Sequence, residues 1–496
     1  MFLFVYVLWS TTYPMKGLIR PETLFLADPN IWIFTSVSER VFLPGLVWSA
    51  GVLLLILIFG RFFCGWICPL GTAIDAAGSC ARNVKVPFPG KASKIRLIKY
   101  LVLGAVLIAS LASFQVAWVC DPLVIMARFV SLNLMPAVTF AVDRTFSFVI
   151  TKFQLYGGAY DLYRAGKSSF LGVKVYYFSN AGMILAFFLF PVLTAVLSPR
   201  FWCRVICPLG AMYSLISKFC GLRRVVVKCN GCGRCVKGCR MNAIRDDLSY
   251  DSGECILCMD CVYGCPVKGT KFAFGPYDGY LPEGEGGTGR TKGGISRKDF
   301  LFLAVSSIFF AGFGMNRRGS PPVRGLIRPP GALPEKEFLN RCVRCGNCMK
   351  VCPTNVIQPA MLQAGMQGIW TPHLVPEIGY CEYNCTLCGE VCPTGAIRGL
   401  LPEKKKKLKI GLAGIDRSIC IAWAYNMQCL VCEEHCPIPE KAIKISEAMV
   451  GGVLSRRPQV DPELCIGCGI CQNKCPIRPV RAIKVSSIAI IVNGKS

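Results

Sequence analysis

Long apolar stretches dominate the first half of the chain and predict membrane-spanning helices. Segments 41–59, 98–118 and 175–197 are each long and apolar enough to cross about 30 Å of hydrocarbon. Segment 2–13 is also apolar, but as a helix it would be only about 18 Å long. We expect it to be a helix truncated by a misassigned start, with an interfacial segment as the alternative. The pattern predicts an α-helical membrane domain over residues 1–228, with four transmembrane helices.

Charged residues predict the orientation of these helices. The loop at 82–99 and the segment 218–228 are basic, which places both in the cytoplasm by the positive-inside rule. Both ends of the domain then lie inside. The stretch 123–153 is apolar but contains Arg128, Asp143 and Arg144. Because one extra span there would put the two halves of the domain on opposite faces, we expect re-entrant or interfacial helices.

An internal repeat divides the membrane domain into two halves. The sequence Arg-Phe-Phe-Cys-Gly-Trp-Ile-Cys-Pro-Leu-Gly at 61–71 matches 200–210 at eight of eleven positions, and each copy follows an apolar span. An Asp-Pro pair lies upstream in each half, at Asp28 and at Asp121. The domain thus contains two copies of a unit made of a span, an Asp-Pro turn, a second span and a C-x3-C-P motif.

Cysteines in the second half of the chain form six sets of four. Their spacing is close to the C-x2-C-x2-C-x3-C-P pattern of bacterial ferredoxins, and five of the six sets end in Cys-Pro. A zinc site would use two separated C-x2-C pairs instead, so the pattern predicts six [4Fe–4S] clusters. The sets are Cys229, Cys232, Cys235 and Cys239; Cys255, Cys258, Cys261 and Cys265; Cys342, Cys345, Cys348 and Cys352; Cys381, Cys385, Cys388 and Cys392; Cys420, Cys429, Cys432 and Cys436; and Cys465, Cys468, Cys471 and Cys475.

Bacterial ferredoxins exchange the fourth ligand between neighbouring sets. For the first two sets, this predicts one cluster on Cys229, Cys232, Cys235 and Cys265, and another on Cys255, Cys258, Cys261 and Cys239. The spacing leaves the pairing among the last four sets open. The fifth set is irregular, because eight residues separate Cys420 from Cys429. Such a loop can still close on a cluster, since closure entropy grows slowly with length.

Domain boundaries follow from these patterns. Residues 229–274 are predicted to be a two-cluster α+β ferredoxin domain in the cytoplasm, residues 335–485 a four-cluster ferredoxin domain, and residues 486–496 a tail. The linker 275–334 begins Gly-rich and then resembles a twin-arginine signal, with Ser296-Arg-Lys-Asp-Phe-Leu before an apolar run at 300–315. We therefore expect the four-cluster domain to be extracytoplasmic. An ordinary short hydrophobic helix at 300–315 is the alternative.

Composition narrows the cofactors and partners. The 31 cysteines in a long chain indicate clusters inserted in a reducing cytoplasm. The formal charge of +27 falls to about +15 with six oxidised clusters, which suits anionic lipid headgroups or acidic redox partners. No nucleic-acid-binding motif accompanies the charge, so we expect no nucleic-acid partner. With His373 and His435 as the sole histidines and no C-x-x-C-H, we expect no haem.

The cysteines outside the six sets divide into two groups. Those of the repeat could jointly bind a further metal centre or form redox-active dithiols, with simple packing of apolar thiols as the alternative. These residues are Cys64, Cys68, Cys203 and Cys207. The remaining three, Cys80, Cys120 and Cys220, are expected to be inert.

Proton acceptors would be needed if a quinol is oxidised here. Asp28 and Asp121 are the candidates, since they lie at paired positions near span ends. The alternative is a structural role, because Asp-Pro readily starts turns. Weaker candidates are Glu22, Glu39 and Arg128, whereas Lys404–Lys407 is expected to be a solvated loop or, less often, a docking patch for an acidic cytochrome.

Two known subunit types resemble the two halves of the chain. Residues 1–270 resemble the membrane iron–sulfur subunit of periplasmic nitrate reductase systems, the NapH type, in the two C-x3-C-P motifs and the ferredoxin that follows. Residues 295–485 resemble the partner four-cluster subunit, the NapG or MauM type, in 296–301, 341–348, 379–389 and 429–437. The chain therefore resembles a fusion of both. The resemblance implies electron transfer from membrane quinol toward extracytoplasmic reductases through cytochromes.

These observations predict a multi-pass iron–sulfur subunit of an anaerobic respiratory complex in a bacterial or archaeal cytoplasmic membrane. Quinol is the expected substrate, and a c-type cytochrome or reductase subunit the expected partner. One alternative is a wire fed by a cytosolic reductant such as ferredoxin, and another is a metal-centre assembly or regulatory protein. Because about 30 Å of hydrocarbon separates the two faces, a partner subunit or a centre at the C-x3-C-P motifs must carry electrons across, unless all six clusters lie in the cytoplasm.

Overall fold

The structure is a computed structural model, in which the chain forms two compact units. The first combines Met1–Val5, Thr23–Phe129 and Gly182–Arg318, and the second combines Tyr6–Glu22, Val130–Ala181 and Gly319–Ser496. The twin-arginine-like segment and most of the linker lie outside the described residues, as does most of the basic loop before Arg96. The described residues are 2–13, 15, 22–80, 95–154, 157–166, 177–275, 279–280, 326–450 and 453–487.

The four predicted spans are helical but shorter than predicted. Their lengths are 9, 15, 14 and 17 residues, for Phe2–Ser10, Gly45–Phe59, Ile98–Leu111 and Ala181–Leu197. Left-handed residues interrupt the chain at their ends: φ is 76° at Gly60, 59° at Ser113 and 67° at Asn180. Each helix is therefore shorter than the roughly 20 residues that usually cross a bilayer.

A longer apolar run lies where re-entrant or interfacial helices were expected. Pro122–Phe153 has 32 residues and, among the described helices, is the one that could cross a membrane by length and composition. It consists of helix Pro122–Phe129, a π turn at Val130–Leu134 and helix Met135–Phe153. Arg128, whose charge counted against a span, is buried over the rings of Trp118 and Phe187 at 5.1 and 5.8 Å. Residues 122–153, where re-entrant or interfacial helices were expected, thus form one continuous helical run.

The helix Gly45–Phe59 buries Gly45, Ser49 and Ile56 and exposes several large apolar side chains. Gly45 and Ser49 are buried, whereas Trp48 is 65% exposed. A Cβ atom at Gly45 would overlap the ring of Trp32, so glycine permits the close approach of the neighbouring helix Pro29–Glu39. A surface helix of a soluble protein does the reverse and turns its apolar stripe inward.

Helices of the two sequence repeats interlock. Pro69–Cys80, which follows the first C-x3-C-P motif, packs against Pro122–Phe129 of the second half. Pro208–Ser217, which follows the second motif, packs against Pro29–Glu39 of the first half. The other helical segments of this region are Glu22–Leu26, the π turn Phe63–Ile67, the 3-10 turn Ala117–Val119, Gly158–Gly166 and Phe201–Val205.

The predicted two-cluster domain has a ferredoxin-like α+β fold. Strand β1 (Leu222–Val226) pairs antiparallel with β2 (Thr270–Phe274) and parallel with β3 (Gly279–Tyr280). Two short helices, Arg234–Lys237 and Asp260–Tyr263, lie between the first two strands. Each helix begins after a left-handed residue, Gly233 or Met259, within the cysteine run. The two cysteine sets therefore adopt the same local turn.

The second unit contains another ferredoxin-like α+β domain, in which a left-handed residue again precedes short helices of the cysteine runs. Left-handed Gly346 and Gly469 precede the short helices Asn347–Lys350 and Ile470–Lys474. Its strands form antiparallel pairs: β4 (Ile357–Pro359) with β5 (Pro372–Leu374), β6 (Leu412–Ile415) with β9 (Ile483–Ser486), and β7 (Ile443–Val450) with β8 (Val453–Val460). Its other helices are Glu335–Arg341, Leu387–Glu390, Pro402–Lys406, Ile421–Ala424 and Val431–Glu434, with 3-10 turns at Leu362–Ala364 and Met366–Gly368.

Candidate metal centres

Cavities lined by four cysteines show how neighbouring sets combine. In the first unit, a cavity is lined by Cys239, Cys255, Cys258 and Cys261. This grouping is the one that the ferredoxin pattern predicts, with the fourth cysteine taken from the preceding set. The other predicted group, Cys229, Cys232, Cys235 and Cys265, is more exposed, and Cys229 Sγ accepts the N–H of Gly231 at 3.4 Å.

Three cavities and the electrostatic interactions of Cys348 group the cysteines of the second unit, a pairing that the spacing leaves open. The third and fourth sets exchange ligands, and so do the fifth and sixth. We number these groups in the order in which they contact one another: group one is Cys342, Cys345, Cys348 and Cys392; group two is Cys352, Cys381, Cys385 and Cys388; group three is Cys436, Cys465, Cys468 and Cys471; and group four is Cys420, Cys429, Cys432 and Cys475.

One hydrogen bond and two electrostatic interactions between cysteines arrange these groups in a series. Cys348 of group one lies within electrostatic range of Cys388 of group two. The backbone N–H of Cys381 in group two donates to the carbonyl oxygen of Cys468 in group three at 2.8 Å. Cys471 of group three lies within electrostatic range of Cys432 of group four. The series therefore runs from group one to group four.

The donor sets fit iron–sulfur clusters. The cavity of group three has aliphatic side chains and glycine backbone around its four thiols. Backbone N–H groups donate to sulfur, for example from Ala243 to Cys239 Sγ at 3.2 Å and from Ile397 to Cys392 Sγ at 3.4 Å. Such bonds stabilise thiolates and tune cluster potentials. Burial raises the pKa of the Cys468 thiol to about 12, so the bound metal must supply the charge that keeps it ionised.

The cysteines of the repeat converge in the first unit. Cys64, Cys68, Cys203 and Cys207 are all buried, and Cys207 lies within electrostatic range of the other three. The structure thus brings both C-x3-C-P motifs together, and we call these four residues the paired motif. Among the described residues, no three Cys, His, Asp or Glu side chains are placed to hold a single metal ion.

An arginine from each repeat reaches the motif of the other. Arg200 Nη1 donates to the carbonyl oxygen of Cys64 at 2.6 Å. Arg61 lies correspondingly beside the second motif, where a Cβ on Gly210 would be 3.0 Å from its Nη2 atom. Gly71 occupies the equivalent position in the first repeat, where an added Cβ would be 3.5 Å from Arg200 Nη1. Gly210 therefore permits a close approach of Arg61, whereas a Cβ on Gly71 would be in ordinary van der Waals contact with Arg200.

The first C-x3-C-P motif contacts the ferredoxin domain directly. A Cβ at Gly65 would overlap the carbonyl oxygen of Ile256, which lies between Cys255 and Cys258. Trp66 Nε1 donates to the carbonyl oxygen of Leu257 at 2.9 Å. The second repeat has Arg204 where the first has Gly65. The ferredoxin loop packs onto the motif that has glycine at this position. The sequence contains the difference between the repeats but does not indicate its purpose.

Buried ion pairs that the sequence analysis missed reinforce this contact. Glu254 accepts from Lys99 at 2.5 Å and from Arg61 at 3.2 Å, with both cations fully buried. Burial opposes ionisation of Glu254, yet Lys99 and Arg61 together lower its pKa below the ordinary value. A second chain of pairs joins Arg200 to Asp75 at 2.6 Å and Asp75 to Arg240 at 2.9 Å. The sequence offers one signal for these ion pairs: Arg61 and Arg200 occupy the same position in the two copies of the internal repeat.

The two candidate proton acceptors are neighbours in the first unit. Asp28 and Asp121 are completely buried, and Asn30 Nδ2 donates to Asp121 Oδ2 at 2.9 Å. Each also caps a helix: Asp28 Oδ1 accepts the N–H of Asn30 at 3.0 Å, and Asp121 Oδ1 that of Leu123 at 2.9 Å. Burial raises the pKa of both carboxyl groups, and the charge of Asp121 raises that of Asp28 further. The predicted turn role is therefore present, but it does not explain their pairing.

Two weaker candidate proton acceptors and the two histidines lie elsewhere on the chain. Glu22 and Glu39 are terminal residues of the helices Glu22–Leu26 and Pro29–Glu39. His373 is buried with Nδ1 3.0 Å from the Gln358 carbonyl oxygen, and His435 Nδ1 lies 2.9 Å from that of Val431. Both histidines thus contact backbone oxygens.

The lysine run departs in part from its expected solvated state. Lys404 and Lys407 are exposed, but Lys405 is 4% exposed and donates to the carbonyl oxygen of Glu382. Of the cysteines expected to be inert, Cys80 is exposed, Cys120 half-buried and Cys220 buried. Cys220 Sγ lies 3.3 Å from the Leu222 carbonyl oxygen.

Family models match both halves of the chain. One described as a 4Fe-4S binding domain matches residues 41–87 and 180–226, which each contain one C-x3-C-P motif. A 4Fe-4S dicluster domain matches residues 341–396, and a further 4Fe-4S binding domain matches 458–481. The dicluster match spans the third and fourth sets, which the structure pairs. The chain therefore carries [4Fe–4S]-binding domains.

Curated relatives agree with these matches, although no solved structure matches the chain. The methylamine utilization ferredoxin-type protein MauM of Methylophilus methylotrophus is 32% identical over 36% of this chain and 80% of its own length. The ferredoxin-type protein NapG of Escherichia coli is 32% identical over 33% of this chain and 71% of its own. The regulatory protein NosR of Stutzerimonas stutzeri is 27% identical over 48% of this chain and 26% of its own. The chain belongs to the family of ferredoxin-type iron–sulfur electron-transfer proteins that includes MauM and NapG.

Proposed function

We propose that this protein is a membrane-bound electron-transfer subunit that takes electrons from quinol and delivers them toward an extracytoplasmic cytochrome or reductase. In this proposal, residues 1–270 act as a NapH-type membrane subunit fused to a NapG-type ferredoxin. The observation that carries the proposal is the arrangement of the first unit. There, a buried carboxyl pair, the paired motif and a four-cysteine cavity belong to one compact body.

Membrane insertion is supported by the burial pattern of the apolar helices. On Gly45–Phe59, Val47, Trp48 and Leu54 are exposed by 58–65% while Gly45 and Ser49 are buried. On Ala181–Leu197, Phe190 and Leu193 are likewise exposed by 57% and 61%. Large apolar side chains exposed together along one helix favour contact with lipid or a partner. Lipid also accounts for the choice of small buried residues, which let helices pack closely.

Six [4Fe–4S] clusters would occupy the six ligand groups. When bound, each cluster accepts and releases one electron. The protein's contribution is the fixed placement of thiols and of the N–H groups that donate to them, such as Ala243 to Cys239. Crossed ligation links consecutive groups covalently through the backbone, so each pair of centres stays close.

Quinol oxidation is assigned to the carboxyl pair of Asp28 and Asp121. A quinol releases two protons, and an ionised carboxylate of this pair, whose pKa is raised by burial, can accept a proton from a substrate hydroxyl. Tyr213, fully buried, lies within electrostatic range of both carboxyl groups and of Cys64 and Cys68. The carboxyl pair is therefore near the paired motif.

The paired motif would provide the intermediate centre that electrons need within the membrane domain. Its four thiols could hold a further iron–sulfur centre or cycle as dithiols. From there, Gly65 and Trp66 lead directly to the Cys255–Cys258 loop by backbone contact. An electron-transfer path from the paired motif to the ferredoxin cysteines requires no haem in this chain.

The test is reduction of the iron–sulfur chromophore by quinol in membranes. Anaerobic addition of a menaquinol analogue should bleach part of the visible absorbance that dithionite bleaches. Asp28→Asn should slow this bleaching. Asp246→Asn makes the same change at an exposed aspartate, serves as the matched control and should leave the bleaching unchanged. Bleaching by reduced ferredoxin but not by quinol would contradict the proposal and favour input from a cytosolic reductant.

The similarity to the regulatory protein NosR supports a second candidate function, a regulatory role, and the C-x3-C-P motifs leave a role in metal-centre assembly as its variant. The cluster series in the second unit argues against it, since a single site would suffice for such a role. The two functions differ in turnover. If the chromophore of purified protein stays fully oxidised while a partner reductase turns over with quinol, the assembly role would be supported instead.

A further inference from the structure

The irregular fifth set builds a surface beside group four. A ferredoxin run would place two residues between Cys420 and Cys429, so the observed eight add six that ligand spacing does not require. These residues begin with the helix Ile421–Ala424. They end in an exposed loop, in which Tyr425 is 69% and Met427 62% exposed. Large apolar side chains are thus presented next to a ligand group.

Two arginines are fixed on the tryptophan of this insertion. The guanidinium carbon of Arg417 lies 4.2 Å from the ring centre of Trp423, and that of Arg457 lies 4.9 Å from it. Trp423 Nε1 donates to the Pro458 carbonyl oxygen at 3.0 Å, and Arg457 Nη2 donates to Asn426 Oδ1 at 3.0 Å. The insertion therefore holds two positive charges in place.

Arginines supply the positive charge of this surface. Acidic neighbours are also present: Asp416 accepts hydrogen bonds from the backbone and hydroxyl of Ser418, and Glu433 lies 4.0 Å from Lys441. Arg456 is paired with Glu447 at 3.0 Å, which cancels both charges. On the other side of group four, exposed Arg478 donates to the Cys475 carbonyl oxygen at 2.6 Å. Arg417, Arg457 and Arg478 thus lie around the group-four ligands.

Group four is also at the opposite end of the series from group one. The group-one loop packs on apolar segments of the second unit: a Cβ at Gly346 would be 3.1 Å from Leu132. Lys350, in the same loop, donates to the Leu8 carbonyl oxygen and to Thr11 Oγ1. Electrons that enter at group one would leave at group four.

We propose that the surface formed by Arg417, Trp423, Tyr425, Met427 and Arg457 is the docking site for the electron acceptor, a soluble haem protein whose haem edge is ringed by carboxylates. The proposal rests on the electron-transfer part of the proposed function and not on quinol. One electron leaves the reduced centre of group four and converts ferric haem to ferrous haem, with no proton or bond exchanged. Positive charges steer the approach, and the apolar pair excludes water from the contact.

The test uses full-length protein in detergent, reduced with dithionite and freed of excess reductant, with cytochrome b5 as the acidic probe. Arg417→Gln combined with Arg457→Gln should lower the affinity and the second-order rate of cytochrome reduction by about tenfold at low ionic strength. The difference should vanish at high salt, where exposed charges are screened. Arg417→Lys with Arg457→Lys keeps both charges and should retain most of the binding. Equal iron content verifies that each variant is intact.

The matched control removes two charges from the rival basic segment. Lys404→Gln with Lys407→Gln takes away two exposed lysines of the run at 404–407 and should leave affinity unchanged. Weaker binding by this variant, or unchanged binding by the arginine variant, would overturn the proposal. Normal cytochrome reduction by dithionite-reduced protein that quinol fails to bleach would refute quinol input and leave the docking site standing.

Discussion

Arg200 Nη1 donates to the carbonyl oxygen of Cys64 at 2.6 Å, so an arginine of the second repeat holds the cysteine motif of the first. Its other nitrogens bind Asp75, at 2.9 and 2.6 Å. Arg61 occupies the reciprocal position beside Gly210. The two repeats thus form one interlocked site, and neither motif is complete without the other half of the domain.

Replacement of Arg200 by glutamine should destabilise the membrane domain. The change removes one of the two cationic partners of Asp75, which keeps Arg240, and removes the donor to the buried Cys64 carbonyl oxygen, at a cost of about 2 kcal/mol. Thermal unfolding in detergent measures the effect, with Arg245→Gln, an exposed arginine, as the control. An unchanged midpoint for Arg200→Gln would mean that the interlocking contact contributes nothing to stability.

Replacement of Gly65 by alanine should separate the ferredoxin loop from the first motif. The added methyl would overlap the Ile256 carbonyl oxygen, which is backbone and cannot rotate away. We expect faster hydrogen exchange at 253–258 and slower reduction of the ferredoxin domain by quinol. Gly51→Ala makes the same chemical change in open space. If both variants exchange alike, the loop does not depend on this contact.

Asp28→Asn separates proton transfer from helix capping. Asparagine is also an effective N-cap, so the fold should persist, whereas quinol-dependent bleaching should slow by about 100-fold because the acid–base group is lost. Asp28→Ala removes the cap as well and should lower stability by about 1 kcal/mol. Normal bleaching by Asp28→Asn would leave the aspartate with a capping role.

The pH dependence of stability should follow the raised pKa values of Asp28 and Asp121. The folded state holds protons that the unfolded state has lost once the pH exceeds the ordinary aspartate pKa. Stability is therefore greatest below that value and falls as the pH rises through the folded-state pKa. Denaturant unfolding should show a weaker decline for the double variant Asp28→Asn with Asp121→Asn. An equal decline would assign the effect to other groups.

Crossed ligation predicts which cysteine pairs belong to one centre. Cys420→Ser with Cys475→Ser removes two ligands of group four and should cost about four irons. Cys465→Ser with Cys475→Ser removes ligands from groups three and four and should cost about eight. The opposite ranking would show that each sequence run holds its own cluster.

Local spacing predicted much of the site, because ferredoxin ligands are held by short turns. The grouping of Cys239 with Cys255 followed from the ferredoxin motif. The internal repeat identified Asp28 and Asp121 as equivalent positions, and the structure adds that they are neighbours. The grouping of Cys475 with Cys420 did not follow from the motif, since it depends on which sets the fold makes neighbours. Helix lengths were overestimated because hydropathy does not register the left-handed Gly60, where the chain turns.

The iron and sulfide content of anaerobically isolated protein tests the central claim most directly. Six thiolate groups that each bind a [4Fe–4S] cluster predict at least about 24 irons and as many sulfides per chain. The absorbance should be broad and brown and should bleach on reduction. Far fewer irons, or zinc in their place, would contradict the account.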